Sequence, residues 1–274
     1  MNAITKLLQD KSYLKILEAH NGITARLVEQ SKFDGIWESS LTDSASKGLP
    51  DIEIVSTESR LHTVREIKNV STKPIIFDGD TGGDPNHFAY HIKMMETSNI
   101  SMVIIEDKKF PKKNSLANNV THLLEDADFF AQKIKKGKEA SDNILIIARL
   151  EGLIANCSQQ EVLSRAKKYI EAGADGVMIH SKKKNSTEIC EFAKNYRKYC
   201  NKLLIAVPTT YNLTEEQIAK YHFDIIIYAN HLLRASLQAM NETIYNLEQG
   251  NCNELHIATI EDIFNITNYD SRSS

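Results

Sequence analysis

Two acidic clusters carry the clearest chemistry in this chain. Asp78-Gly79-Asp80-Thr81-Gly82 follows the apolar run Pro74 to Phe77, and Glu106-Asp107-Lys108 follows the run Met102 to Ile105. If those runs are neighbouring parallel strands, Asp78, Asp80 and Glu106 reach one rim, where carboxylates that close need a cation. Oxygen donors with no cysteine and no paired histidine beside them favour a hard ion such as Mg²⁺, keeping several waters, over zinc. The alternative is that these acids are helix N-caps or solvated loop residues. Arg149 closes another run, Asn143 to Ala148, and a buried guanidinium needs an anion: a substrate phosphate or carboxylate, or a structural partner such as Glu151. His180, after Gly176 to Ile179, is either a satisfied barrel histidine or a substrate contact. From Phe110 to Leu116 there is no apolar periodicity, and a helical pattern resumes only near Glu125. A lid reads naturally there, with Lys112, Asn114 and Ser115 offering a cation and hydrogen-bond donors to an anionic ligand, although a solvated basic loop would have the same composition.

The elements that must position these groups are eight short apolar runs: Lys15 to Ala19, Gly35 to Trp37, Pro74 to Phe77, Met102 to Ile105, Asn143 to Ala148, Gly176 to Ile179, Leu203 to Val207 and Asp224 to Tyr228. Runs such as Ile144-Leu145-Ile146-Ile147 are continuous, as in strands buried on both faces of a parallel sheet. Segments of helical period lie between them, including Thr24 to Lys32, Glu161 to Ala172 with Gly173 at its end, Thr187 to Cys200 and Leu232 to Glu248. Eight such strands over about 250 residues, with no glycine-rich nucleotide loop, predict an α/β fold of the (β/α)8 TIM-type barrel class. Nearly every run ends in polar groups, which is where a barrel carries its chemistry. No linker divides the chain, so residues 1–274 are expected to form one domain with a lid over about 108–124, a C-terminal helical extension over about 232–267 and a frayed tail from Asn268 to Ser274.

Composition narrows the function. Of 274 residues, 42% are hydrophobic and 25% charged, which excludes disordered, collagenous and coiled-coil chains. A formal charge of −3 leaves no basic surplus for nucleic acid. No stretch approaches 18 apolar residues and Met1 to Gly22 is charged throughout, so neither a membrane span nor a signal peptide is read and a cytoplasmic location is expected. Cys157, Cys190, Cys200 and Cys252 form no CxxC pair and imply neither disulfides nor zinc.

Taken in order, Glu18-Ala19-His20-Asn21-Gly22, Gly35-Ile36-Trp37-Glu38-Ser39, Asp78-Gly79-Asp80-Thr81-Gly82, Glu106-Asp107-Lys108-Lys109-Phe110-Pro111-Lys112-Lys113-Asn114-Ser115, His180-Ser181-Lys182-Lys183, Val207-Pro208-Thr209 and Ala229-Asn230-His231-Leu232-Leu233-Arg234-Ala235 resemble the phosphoenolpyruvate mutases of the isocitrate lyase / phosphoenolpyruvate mutase superfamily. The similarity runs from about Leu14 to Glu248. It implies a Mg²⁺-dependent interconversion of phosphoenolpyruvate and phosphonopyruvate, the carbon–phosphorus bond-forming step of phosphonate biosynthesis. By the same resemblance Asp78 is the direct metal ligand, Asp51, Asp80 and Glu106 hold metal-bound waters, and Trp37, Ser39, Ser40 and Leu41 cradle the pyruvate part. Arg149 and His180 hold substrate, while Lys112, Asn114 and Ser115 belong to the gating loop. Two departures lie near the site: Ser40 stands where many members have Gly, and Gly82-Gly83-Asp84-Pro85-Asn86-His87 replaces a Gly-Tyr-Gly-Asn run.

Rival readings within the resemblance are set by the lid. The 2-methylisocitrate lyase type uses a Lys-Lys-Cys-Gly-His loop, whereas Lys108-Lys109-Phe110-Pro111-Lys112 has no cysteine. Phosphonopyruvate hydrolase shares the barrel and metal site, but its familiar lid has Thr where this chain has Asn114. A non-catalytic barrel would be expected to lose some of Asp78, Asp80, Glu106, Lys112 and Arg149, and all are present. The resemblance also implies a homo-oligomer, dimer or tetramer, with a C-terminal helix exchanged between subunits through Leu232, Leu233, Leu237, Met240, Ile244 and Leu247. Because such mutases favour phosphoenolpyruvate, a phosphonopyruvate-consuming enzyme is the implied functional partner.

Overall fold

The computed structural model describes residues 2–117, 119–252 and 256–267; the tail expected to fray lies outside the described residues, as do one residue of the lid and three of the extension. Eight parallel strands close into a barrel in sequence order: β1 (Leu14–Glu18), β2 (Gly35–Glu38), β3 (Ile75–Asp78), β4 (Met102–Glu106), β5 (Leu145–Leu150), β6 (Gly176–Ile179), β7 (Leu203–Ala206) and β8 (Ile225–Tyr228), which pairs with β1. All eight predicted strands are present. The largest boundary change is at β5, which continues to Leu150 and so takes Arg149 into the sheet, directly opposite Glu106 of β4.

Helices alternate with the strands: α1 (Ala3–Asp10), α2 (Gly22–Glu29), α3 (Ser40–Ser46), α4 (Thr57–Lys68), α5 (Pro85–Thr97), α6 (Ala127–Ala140), α7 (Gln159–Glu171), α8 (Thr187–Tyr199), α9 (Glu215–Tyr221), α10 (His231–Glu248) and α11 (Ile260–Thr267). Their starts are encoded locally. Asn21, Ser56, Asp84, Asp126, Ser158 and Thr214 accept from backbone N–H groups of the first turns of α2, α4, α5, α6, α7 and α9, satisfying donors that have no intrahelical partner. Gly173 follows α7 at φ +107, as its position after the helical pattern predicts. α1 was not legible as a core element, yet Ile4 is buried beneath the barrel, and the Asn2 side chain donates to the carbonyls of Ser101 and Asn143, closing the N-terminal end.

Apolar residues dominate both faces of the sheet. Ile16, Trp37, Ile76, Ile104, Ile147, Met178, Ile205 and Ile227 fill the barrel interior, while Ile36, Phe77, Val103, Ile105, Ala148, Val177 and Ile226 pack outward against the helices. Because side chains alternate along a strand, this packing also fixes which polar residue at each strand end points inward, and a slip of one residue would turn the whole set over. Among the described residues no helix is long and apolar enough to cross a membrane.

The turn after β3 depends on one glycine. The Gly79 N–H donates to the Ile104 carbonyl at 2.7 Å, and a Cβ at that position would lie 2.7 Å from Ile105 Cγ2 and 2.8 Å from Val103 Cγ2. Gly79→Ala should therefore push β3 and β4 apart at their ends and destabilise the fold by about 1–3 kcal/mol, the usual cost of overpacking. Thermal unfolding in EDTA is the check, and an unchanged Tm would mean that the turn relaxes freely.

Candidate active site

Alternation along the strands brings the candidate residues to one place. Trp37 and Ser39 at the end of β2, Asp78 at the end of β3, Glu106 on β4, Arg149 on β5 and His180 after β6 all line a cavity of about 50 Å³ at the C-terminal mouth of the barrel. Ser40 and Leu41 reach it from the first turn of α3, Asp51 from the following loop, and Lys112, Asn114 and Ser115 from the lid. Lys108, Leu116, Thr209 and Asn230 line it as well. Asp80 does not. It stands behind the cavity wall at φ +52, with Oδ2 accepting from Arg60 Nη1 at 3.0 Å and Oδ1 2.5 Å from Lys112 Nζ. Asp107 leaves the acidic cluster altogether: one position beyond Glu106, it points outward, accepting from Tyr169 Oη at 2.9 Å and from the Glu151 N–H at 2.8 Å.

The lid is folded into the mouth. Lys112 Nζ lies 2.7 Å from Asp51 Oδ1 and donates to Ser40 Oγ at 2.7 Å, while Asn114 Nδ2 donates to Asp51 Oδ2 at 2.7 Å. Ser115 Oγ accepts from Lys108 Nζ at 2.5 Å and Arg149 Nη2 at 3.0 Å and donates to Glu151 Oε2 at 2.7 Å. Lys108 and Leu124 pair across the base of the loop. As they stand, no three acids or imidazoles among the described residues converge into a ready metal cage. An ammonium occupies the centre of the acidic group instead.

Charge explains the arrangement. Burial pushes Lys112 down, but Asp80, Asp78, Glu106 and Asp51 more than reverse this and hold its ammonium firmly protonated. Asp78 is likewise pushed up by burial and held below the usual carboxylate range by Lys112, Arg149 and Arg60. Glu106 is pushed up to about 7 by burial, which outweighs Lys108 and Arg149. The Arg149 guanidinium is anchored by Glu151 Oε1 at 2.5 Å, so the structural partner considered from sequence is present, and the same residue still faces the cavity. Burial and then Arg149 keep His180 below its ordinary value against the pull of Glu151. His180 Nδ1 lies 2.8 Å from Glu151 Oε1 and 2.9 Å from Arg149 Nη2, so the ring is held between the two partners of the buried ion pair. Trp37 Nε1, Glu106 Oε1 and Asn230 Oδ1 are buried without a hydrogen-bond partner, although all three residues line the cavity. Leaving such groups unmatched costs about 1–3 kcal/mol each, which marks a place shaped for a polar ligand.

Sequence reasoning missed Arg60, Glu38 and Glu53. Arg60 shares the buried face of α4 with Leu61, Val64 and Ile67, a spacing that could have exposed it as a core cation. Glu38 follows the inward Trp37 and so points outward, towards Arg60. Glu53 accepts from the N–H and Oγ1 of Thr81 at 3.2 and 2.7 Å, and burial with Asp80 nearby pushes it up to about 7.

The model of the family described as phosphoenolpyruvate phosphomutase matches residues 4–247. The chain belongs to this family. It is an enzyme of the phosphoenolpyruvate mutase/isocitrate lyase superfamily. It is 35% identical to phosphoenolpyruvate phosphomutase of Tetrahymena pyriformis over 97% of this chain and 91% of that one. It is also 36% identical to phosphonopyruvate hydrolase of Variovorax sp. (strain Pal2), over 90% and 86%. A crystal structure of phosphonopyruvate hydrolase in complex with oxalate and Mg²⁺ superposes with a TM-score of 0.87 at 33% identity, covering 98% of this chain and 95% of that one. Family members of both activities thus share this barrel.

Removing the Ser115 hydroxyl would leave Lys108, Arg149 and Glu151 without their common partner, at a cost of about 1–3 kcal/mol carried by the lid alone. Ser115→Ala should accelerate trypsin cleavage after Lys109, Lys112 or Lys113 several-fold with little change in Tm; cleavage at the wild-type rate would show that the hydroxyl does not hold the loop.

Proposed function

We propose that the chain is a phosphoenolpyruvate mutase, moving a phosphoryl group within one molecule between the enol oxygen of phosphoenolpyruvate and the carbon of phosphonopyruvate. The observation that carries this reading is the bond from Asn114 Nδ2 to Asp51: the lid residue whose type separates mutase from hydrolase in the resemblance reaches into the acidic group. A transfer through a metaphosphate-like species needs anion stabilisation and the exclusion of water. Arg149, held in line by Glu151, and His180 would grip the phosphoryl group. The Trp37, Ser39, Ser40 and Leu41 segment would cradle the pyruvate part, and Asn114 would restrain the group in flight. The lid would open for entry and close over the reaction to keep water out.

The residues fit Mg²⁺. The donors are all oxygen, Lys112 stands in as a cation among Asp51, Asp78 and Asp80, and Glu106 Oε1 is buried and unmatched. Asp78, Asp51, Asp80 and Glu106 would hold the ion, with Lys112 withdrawn. When bound, Mg²⁺ would supply Lewis-acid stabilisation of the pyruvate enolate.

Phosphonopyruvate hydrolase is the second reading, favoured by the equal likeness of the Variovorax relative. ³¹P NMR with phosphonopyruvate and Mg²⁺, with and without EDTA, separates them. The mutase gives metal-dependent phosphoenolpyruvate, and inorganic phosphate without phosphoenolpyruvate would replace that reading by the hydrolase. Asn114→Ala should lower turnover about 10–100-fold, the worth of a hydrogen bond to a charged group.

In a cell we place the enzyme in the cytoplasm, beside one that consumes phosphonopyruvate. α10 buries no residue, and Leu237, Met240 and Ile244 are each more than half exposed. An exposed apolar helix face of this length fits exchange with a second copy. Sedimentation equilibrium should give two or four times 31.0 kDa, and a monomer would end that proposal.

A further inference from the structure

Arg60 is buried behind the acidic turn and does not itself line the cavity, yet it grips the turn from outside. Its Nη1 donates to the Asp78 carbonyl at 2.5 Å and to Asp80 Oδ2 at 3.0 Å. Its Nε donates to Glu38 Oε1 at 3.3 Å, Nη2 pairs with Glu38 Oε2, and the guanidinium lies 4.2 Å from the centre of the Phe77 ring. A rigid planar fork can hold two partners in fixed directions at once, which a lysine cannot.

We infer that Arg60, neutralised by Glu38, is a positioning residue that ties back Asp80 Oδ2 so that Oδ1 is presented to the cation in the barrel mouth. This rests on the reading that the carboxylates hold a divalent ion. In the structure Asp80 Oδ1 already faces a cation, Lys112 Nζ, at 2.5 Å. A guanidinium alone would add a positive charge beside the cluster and weaken its attraction for a metal. Glu38 cancels that charge, so the pair fixes geometry without weakening the field. A purely structural buried pair makes a different prediction, because such pairs can usually be exchanged for neutral residues with little loss elsewhere.

The test is Mn²⁺ binding, followed by the EPR signal of free Mn²⁺, on wild type, on Glu38→Gln and on the neutral double variant Glu38→Gln/Arg60→Met, with Tm in EDTA recorded for each. The double variant keeps the net charge, yet the inference predicts 10–100-fold weaker Mn²⁺ binding, the usual effect of losing a partner that orients a metal ligand. A folded double variant with the wild-type Kd would overturn the inference. Should the double variant not fold, Glu38→Gln decides: uncompensated Arg60 should weaken binding about tenfold, most at low salt, and an unchanged Kd would overturn the inference equally. Wild type that binds no Mn²⁺ would overturn the metal reading itself, whereas wild-type binding matched by the variants overturns only the role of Arg60.

Discussion

Carboxylates crowded into a low-dielectric barrel mouth must be matched by cations, and most of this structure follows from that constraint. Two like charges 4 Å apart repel by about 4 kcal/mol even at an effective dielectric of 20. Asp51, Asp78, Asp80, Glu106 and Glu151 could not share one rim unaided. Lys112 answers Asp51 and Asp80, Lys108 and Arg149 answer Glu151 with Glu106 near both, and Arg60 answers Asp80 from behind. Since Lys112 comes from the lid, the packing of that loop into the mouth and the neutralisation of the acids go together. A divalent ion and Lys112 would then compete for the same oxygens.

The barrel's alternation turns this constraint into geometry. Ile104 inward, Ile105 outward, Glu106 inward and Asp107 outward is one pattern, and the apolar half of it specifies the ionisable half. Asp107 therefore serves the fold through Tyr169 and Arg165, while Glu106 serves the mouth, although the two are adjacent in sequence. Glu38 beside Trp37 follows the same rule.

Much of this was legible from sequence. The eight strands and the convergence of Asp78, Glu106, Arg149 and His180 follow from apolar runs and from the polar residue ending each run, whereas Asp51 ends no run and was reached only through the resemblance. Asp80 was harder to place, because its own left-handed backbone, at φ +52, takes it off the strand parity that governs Asp78. Arg60 was hidden because the burial of a charge depends on a partner that is distant in sequence. α1 escaped for a related reason: an amphipathic first turn gives no hint that it plugs a barrel.

We propose that Lys112 holds the position a metal would take. Thermal unfolding of wild type and Lys112→Met, in EDTA and in saturating Mg²⁺, tests it most directly. Lys112→Met should melt lower than wild type in EDTA, because buried carboxylates have lost their partner, and Mg²⁺ should raise its Tm by more than that of wild type. Equal stability in EDTA with equal shifts in Mg²⁺ would mean that Lys112 does not stand in the metal's place.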